Sequence, residues 1–251
     1  MNSEAAPGEG VAAFFDLDGT MIPPPSLEKR FFRSLRQDSA IPLRNYLRWS
    51  MEALRLLPKG IAALQHANKR HLTGLRSGAA LQYLESVTFF EEAIGRVVWH
   101  ARYGHEIVLV SGTLEPLAQM AATALECELE AQGVEIRPWI CATRLEEERG
   151  RWTGRLKGEA TYGAGKARAI AKFAREHKLD LRQCHAYGNS LLDRQLLRAV
   201  GHAHTVNPGK ELAALANQGN WTIWNWHQEK KMRAAVNSYA ETRIQQTEDH
   251  V

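Results

Sequence analysis

Apolar residues follow two different rhythms along this chain, and the change of rhythm divides it. Val11–Phe15 is a short apolar run stopped at Asp16, long enough for a buried strand. Met21-Ile22 is followed by Pro23, Pro24 and Pro25, which end any regular element because proline fixes φ and lacks an N–H donor. Ser26 then stands as the N-cap of a helix opening at Leu27. From Ser26 to about His100 the spacing is helical. Leu27, Phe31, Phe32 and Leu35 share one face, as do Leu43, Leu47, Met51 and Leu54; Leu81, Leu84, Val87 and Phe90 follow in the same way. Pro42, Pro58 with Gly60, and Thr73-Gly74 mark turns. The stretch predicts a module of about four helices and no strand.

Beyond residue 100 strands alternate with helices. Ile107–Val110 predicts a buried strand ending at Ser111-Gly112-Thr113, with a helix following to about Glu130. Arg149-Gly150-Arg151, between Cys141–Leu145 and Trp152–Leu156, predicts a β-hairpin. Lys166–Lys178, Ser190–Val200 and Lys210–Asn217 read as helices, and Cys184–Tyr187, Ala203–Val206 and Trp221–Trp224 as strands. Such alternation implies a parallel sheet covered on both faces, an α/β core interrupted after its first strand by the helical module. The expected organisation is a flexible leader over 1–10, a core made of 11–24 and 101–225, a helical insert over 25–100, and a tail over 226–251.

Composition alters this picture in one respect. The chain of 251 residues carries a net charge of +4, which by itself suggests little. Residues 27–76, however, hold eleven basic residues against Glu28, Asp38 and Glu52, a local net of +8, so the remainder is acidic. The basic residues belong to the insert, which argues against a nucleic-acid partner and for a cationic cover over an anionic site. Tyr46, Leu47, Trp49, Leu54 and Leu57 among Arg44, Arg48 and Arg55 also fit an interfacial helix making peripheral contact with anionic lipid. There is no spanning run of about 18 apolar residues. The polar opening MNSEAAPGEG lacks the form of a secretory signal. Cys127, Cys141 and Cys184 are widely spaced and form no CxxC, so neither a disulfide framework nor a zinc knuckle is expected. His202 and His204 lack a nearby third ligand in sequence. A cytoplasmic protein is the expectation, with its oligomeric state open.

In parallel α/β sheets, ligands bind beyond the carboxyl ends of the strands. The polar residues after each apolar run therefore form one group. Asp16-Leu17-Asp18-Gly19-Thr20 fits a strand ending in an Asx-turn. It also fits a nucleophile or metal ligand at Asp16 with a proton donor at Asp18. A carboxylate can attack phosphorus if a cation offsets the repulsion between the two anions. Ser111-Gly112 reads either as a helix cap or as a hydroxyl and backbone N–H groups holding phosphate oxygens. Lys166, behind Gly163 and Gly165, is either a solvated helix lysine or an ammonium that neutralises phosphate and Asp16. Gly188-Asn189-Ser190-Leu191-Leu192-Asp193 follows another strand.

The order strand-DxDGT, helical insert, strand-SG, lysine at a helix start, strand-GNxxxD resembles the haloacid-dehalogenase-like (HAD) hydrolase superfamily. It is most similar to subfamily IB, the phosphoserine-phosphatase-like hydrolases. Further family-like segments are WHARYGHEIVLVSGTLEPL, ATRLEEERGRWTGRLKG and YGNSLLDRQLLRAVGHAHTVNP, and the resemblance covers roughly residues 12–225. It implies a Rossmann-like core with an inserted helical C1 cap, and a Mg²⁺-dependent phosphatase acting on a small phosphomonoester through an aspartyl-phosphate. Asp16 would be the nucleophile. Asp18 would protonate the leaving oxygen and activate water. Thr20, Ser111, Gly112 and Lys166 would hold the phosphoryl group. The metal would be held by Asp16 and Asp18, with Asn189 and Asp193 completing or supporting its site. Asp18 also argues against a dehalogenase.

Two departures bear on function. Asn189 stands where the family usually has an aspartate, which keeps an oxygen ligand but removes a charge and should weaken Mg²⁺ binding. The glutamate with which phosphoserine phosphatases bind the substrate amino group is replaced by Pro25, the nearest acid being Glu28, so phosphoserine is not the expected main substrate. Lipid or prenyl phosphates at a membrane surface are the alternative substrates, and a catalytically weakened binding protein is the alternative outside enzymes.

Overall fold

A computed structural model describes residues 10–61, 64, 68–78 and 87–227. The elements fall in the order β1 (Ala12–Phe15), α1 (Leu27–Gln37), α2 (Leu43–Leu56), α3 (Glu91–Arg102), β2 (Glu106–Leu114), α4 (Glu115–Glu130), β3 (Trp139–Thr143), β4 (Leu145–Glu148), β5 (Arg151–Leu156), α5 (Ala164–Glu176), β6 (His185–Gly188), α6 (Arg194–Arg198), β7 (His202–Val206), α7 (Lys210–Gln218) and β8 (Thr222–Trp224). Six strands pair in parallel in the order β3-β2-β1-β6-β7-β8. From β1 the chain first builds one side of the sheet and then returns to build the other, so the topological switch point lies between β1 and β6. All four residues of β1 are buried, which is why it reads as an unbroken apolar run rather than an alternating one. On one face Phe15, Leu109 and Tyr187 pack with Val97 of α3 and Leu117 of α4; on the other, Phe14, Val108 and Ala186 pack with Ile170 of α5 and Leu196 of α6.

The structure departs from the expected elements in ways that have local causes. Cys141–Thr143 lies in β3, paired with β2 at the sheet edge, and the hairpin is β4 with β5. Its turn needs positive φ at Arg149 and Gly150 (52° and 71°). β2 runs through Ser111-Gly112-Thr113 to Leu114, with a register shift against β3; Ser111 is therefore not the N-cap of the following helix. Ser190–Val200 is not one helix but a 3-10 turn at Leu191–Asp193 and the short α6, because Ser190 and Asp193 form a capping box. Helix α3 buries Ala93, Ile94, Val97 and Val98 and packs on β2 and α4, so by packing it belongs with the sheet and not with the insert. Val87–Phe90 is not helical, and Leu81 and Leu84 lie outside the described residues, as do residues 1–9 of the leader and 228–251 of the tail.

The insert is fastened to the sheet domain through the hairpin. Gly74 N–H donates to the Trp152 carbonyl at 2.7 Å, Trp152 N–H to Leu75 at 2.9 Å, and Thr73 Oγ1 to the Thr153 carbonyl at 3.1 Å. Within the insert, Asn45 of α2 donates to the carbonyls of His71 and Thr73 at 3.1 and 2.7 Å.

The opposite end of the sheet from the strand carboxyl ends carries a histidine network. Ring nitrogens of His100, His105 and His185 lie within 4.8 Å of one another, a spacing a metal could use. The hydrogen bonds assign these rings another role. Trp224 Nε1–H donates to His204 Nδ1 at 3.3 Å, and indole nitrogen is only a donor. The His204 proton therefore sits on Nε2 and points to His185 Nδ1 at 3.1 Å. His100 bonds His105 at 2.8 Å and the Tyr187 hydroxyl at 2.9 Å, and Arg96 donates to that hydroxyl at 3.1 Å. Burial, with neighbouring histidines and Arg96 adding to it, lowers the pKa of His100 to about 2, His204 to about 3 and His185 to about 4. These rings fold neutral but protonate readily when unfolded. Their contribution to stability is complete above the unfolded histidine pKa of about 6.5 and falls as pH drops toward the folded values. Melting temperature should accordingly fall steeply from pH 7 to pH 5, and His185→Asn should flatten that slope; a melting temperature constant over this range would contradict it.

Candidate active site

The turn that follows β1 is wound tightly on itself. Met21 and Ile22 N–H both donate to the Leu17 carbonyl at 2.9 Å, and Gly19 N–H donates to Ile22 at 2.7 Å. Gly19 has φ +89°, and a Cβ there would lie 2.1 Å from Asn189 Nδ2. Glycine at this position lets the turn after β1 close onto the loop after β6. Gly188 does the same within that loop, since a Cβ would meet that of Asp193 at 2.6 Å.

Three segments converge at the switch point: the turn after β1, the first turn of α5 and the loop after β6. Lys166 Nζ, from the first turn of α5, donates to Asp16 Oδ1 at 2.5 Å and Asp193 Oδ1 at 2.6 Å. Thr20 Oγ1 lies 3.0 Å from Asp16 Oδ2 and 3.3 Å from Asn189 Oδ1. Asp16, Thr20, Lys166 and Asp193 are all buried. Asp18 accepts the Leu27 N–H at 2.8 Å through Oδ1, which ties the first helix of the insert to the turn after β1. Of the expected site residues, the structure thus brings Asp16, Thr20, Lys166, Asn189 and Asp193 into one hydrogen-bonded cluster, with Asp18 beside it.

Ser111 and Gly112 lie at the same sheet edge but make their hydrogen bonds elsewhere. Ser111 Oγ accepts the Thr113 N–H at 3.2 Å, and the Gly112 carbonyl accepts from Thr143 Oγ1 at 2.8 Å. Asp193 has a fuller role than a ligand. Its Oδ2 accepts from Asn189 N–H, Ser190 N–H and Ser190 Oγ at 3.2, 3.0 and 2.8 Å, while Oδ1 holds Lys166. It fixes the loop and the lysine together. Ser190 was not singled out in the sequence, although its place three residues before Asp193 is a capping-box signal.

Burial raises the Asp16 pKa to about 7; Lys166 opposes the rise, and Asp193 and Asp18 add to it. Burial likewise raises Asp18, against the Leu27 hydrogen bond. For Lys166 burial works against the charge, but Asp16 and Asp193 outweigh it and hold the ammonium above the usual lysine range. Among the described residues, Lys166 is the one cation bonded within this group of three buried or nearly buried carboxylates, with Arg30 acting on Asp18 through its charge alone. That excess of negative charge, with Asp16 Oδ2 and Asn189 Oδ1 converging on one hydroxyl, fits a hard divalent cation bound by oxygens. Asp16 and Asn189, with Asp18 at the edge, are the residues that would hold it.

A cavity of about 350 Å³ lies between the insert and the sheet edge. Its walls include Phe31, Phe32, Trp49, Leu72 and Leu114, and it also reaches Glu28, Lys69 and His71. Lys69 is buried and donates to both Glu28 oxygens at 2.8 and 2.6 Å. His71 Nδ1 is buried without a hydrogen-bond partner among the described residues. Burial, with Lys69 adding to it, lowers the His71 pKa to about 3. Lys69 and His71 were not distinguished in the sequence, because nothing in a run of basic residues shows which one turns inward.

Comparison with known proteins agrees with this architecture. The family model described as haloacid dehalogenase-like hydrolase matches residues 13–198. A probable phosphatase of Mycobacterium tuberculosis is 30% identical over 246 residues, covering 92% of this chain and 80% of that protein. A Bordetella pertussis protein of unknown function superposes with TM-score 0.63 at 23% identity, over 85% of this chain and 97% of that one. A phosphoserine phosphatase in its apo form gives TM-score 0.59 at 16% identity, over 89% and 98%.

Proposed function

The chain belongs to the haloacid dehalogenase-like hydrolase family, and from that premise we propose that it is a phosphatase cleaving a small phosphomonoester through an aspartyl-phosphate. The observation that carries this reading is Asp16 held between Lys166 and Thr20 at the switch point. Asp16 attacks phosphorus, forming a carboxyl–phosphate bond as the bond to the leaving oxygen breaks. Asp18 gives its proton to that oxygen. It then takes a proton from water as the water attacks the aspartyl-phosphate, which returns Asp16 and releases phosphate. Lys166 neutralises charge on the phosphoryl oxygens and on Asp16, and the Thr20 hydroxyl orients the carboxylate. Ser111 and the backbone at Gly112 line the same edge as further phosphate contacts. Asp16, Asp18 and Asn189, with Asp193 in support, would hold Mg²⁺, which would supply positive charge against the repulsion between the phosphate and Asp16.

The cavity bears on the leaving group. Glu28 is the acid nearest to where phosphoserine phosphatases place theirs, but Lys69 already neutralises it. The remaining walls are mainly aromatic and aliphatic. A leaving group with an apolar body fits this site, and a free amino group finds no unpaired carboxylate among the described residues that line the cavity. In a panel assayed with Mg²⁺, an aryl phosphate such as p-nitrophenyl phosphate should have a kcat/KM at least about tenfold above that of phosphoserine. Comparable turnover of phosphoserine would refute the substrate assignment, and no turnover of any phosphomonoester would refute the phosphatase.

A further inference from the structure

Among the described residues, six of the nine large apolar side chains that stay exposed lie in α2 and the turn after it: Leu43, Leu47, Met51, Leu54, Leu57 and Ile61, each 61–85% exposed. Their spacing would normally place them in a core. Here the opposite face does that work. Asn45 and Leu56 are buried, and Trp49 lines the cavity. At about 100° per residue, Leu43, Leu47, Met51 and Leu54 occupy an arc of about 80°, and Arg44, Arg48 and Arg55 form a row directly beside it. All three arginines are exposed, and none makes an ion pair among the described residues. Glu52, the one acid of α2, is turned away toward Arg70 at 3.6 Å.

An apolar stripe of this size on a soluble surface marks a contact surface. We propose that α2 docks this protein onto an anionic lipid surface, with the leucines and Met51 entering the headgroup boundary and the arginine row meeting the phosphates. The stripe supplies buried apolar area and the arginines supply attraction to negative headgroups, the two contributions such binding requires. A second copy of the chain fits less well. A two-fold contact puts the same patch on both partners, so both arginine rows would be gathered into one interface with no outward acid on either α2 to answer them.

Sedimentation with vesicles tests this directly. The wild-type protein should pellet with phosphatidylcholine–phosphatidylglycerol vesicles and at least tenfold less with phosphatidylcholine alone, with binding weakened by salt. The set Leu47→Glu, Met51→Glu, Leu54→Glu and the set Arg44→Gln, Arg48→Gln, Arg55→Gln should each reduce partition at least about tenfold, with an unchanged circular dichroism spectrum and melting transition as proof of folding. Wild-type protein that ignores anionic vesicles, or charge-neutralised protein that still binds them as wild type, overturns the proposal. A dimer in light scattering that the glutamate set dissociates, without vesicle binding, assigns the face to a second copy and also overturns it. Binding is read without turnover, so this proposal and the phosphatase reading fail separately.

Discussion

Asp16→Asn should abolish phosphomonoester turnover, lowering kcat by at least about 10⁴-fold while the protein stays folded. The geometry explains both halves of that result. Asp16 Oδ1 receives the Lys166 ammonium and Oδ2 the Thr20 hydroxyl. Asparagine can keep its oxygen toward Lys166 and offer its amide N–H to Thr20 Oγ1, because a hydroxyl accepts as readily as it donates. The hydrogen bonds survive, and the buried charge that burial already disfavours is gone. What is lost is the nucleophile, since an amide oxygen does not form the acyl phosphate. Wild type and variant should therefore melt within a few degrees of each other, and only wild type should take up label from a ³²P-labelled substrate. Residual activity within tenfold of wild type would remove Asp16 from the reaction and with it the proposed mechanism.

The sheet was legible because its strands are buried on both faces, and such strands stand out as apolar runs: Val11–Phe15 and Ile107–Val110 need no partner to be recognised. The turns after them were legible too, since Asp, Gly and Asn mark chain reversals by their own backbone chemistry. Periodicity, however, cannot tell which side of an amphipathic helix is covered. Leu43, Leu47, Met51 and Leu54 carry the pattern of a core face and lie in solvent, while Trp49 and Asn45 point inward. Nor does spacing distinguish α3, on the sheet, from helices of the insert, because both carry apolar residues at helical spacing whether or not that face is covered. The cluster Asp16–Lys166–Asp193 was inferred from order along the chain. That Asp193 grips both the lysine and the loop at Ser190, so that one side chain sets two others, emerges only in three dimensions. The same holds for the histidine network, whose rings come from four separate segments.

Lys166→Met should cost both stability and activity. Lys166 is 4% exposed and, among the described residues, is the one cation bonded to Asp16 and Asp193. Methionine matches its volume but leaves two buried carboxylates facing each other, and removing one partner of a buried ion pair typically costs about 3–5 kcal/mol. Turnover should fall by about 10²–10³-fold, the scale for losing a positioned charge beside a developing anion. Arginine should not substitute: α5 has no room to withdraw, since a Cβ on Gly165 would already lie 2.2 Å from the Ala160 carbonyl. The double variant Lys166→Met, Asp193→Asn separates the two effects. Asparagine can keep its oxygen toward the three donors from Asn189 and Ser190 while removing one of the two unanswered charges and with it their mutual repulsion, so urea denaturation should show part of the stability restored. Activity should remain low, because nothing replaces the ammonium at Asp16. A single Lys166→Met variant as stable as wild type would mean that the carboxylates are balanced by something other than this lysine, and restored turnover in the double variant would show that the lysine serves the fold and not the phosphoryl group.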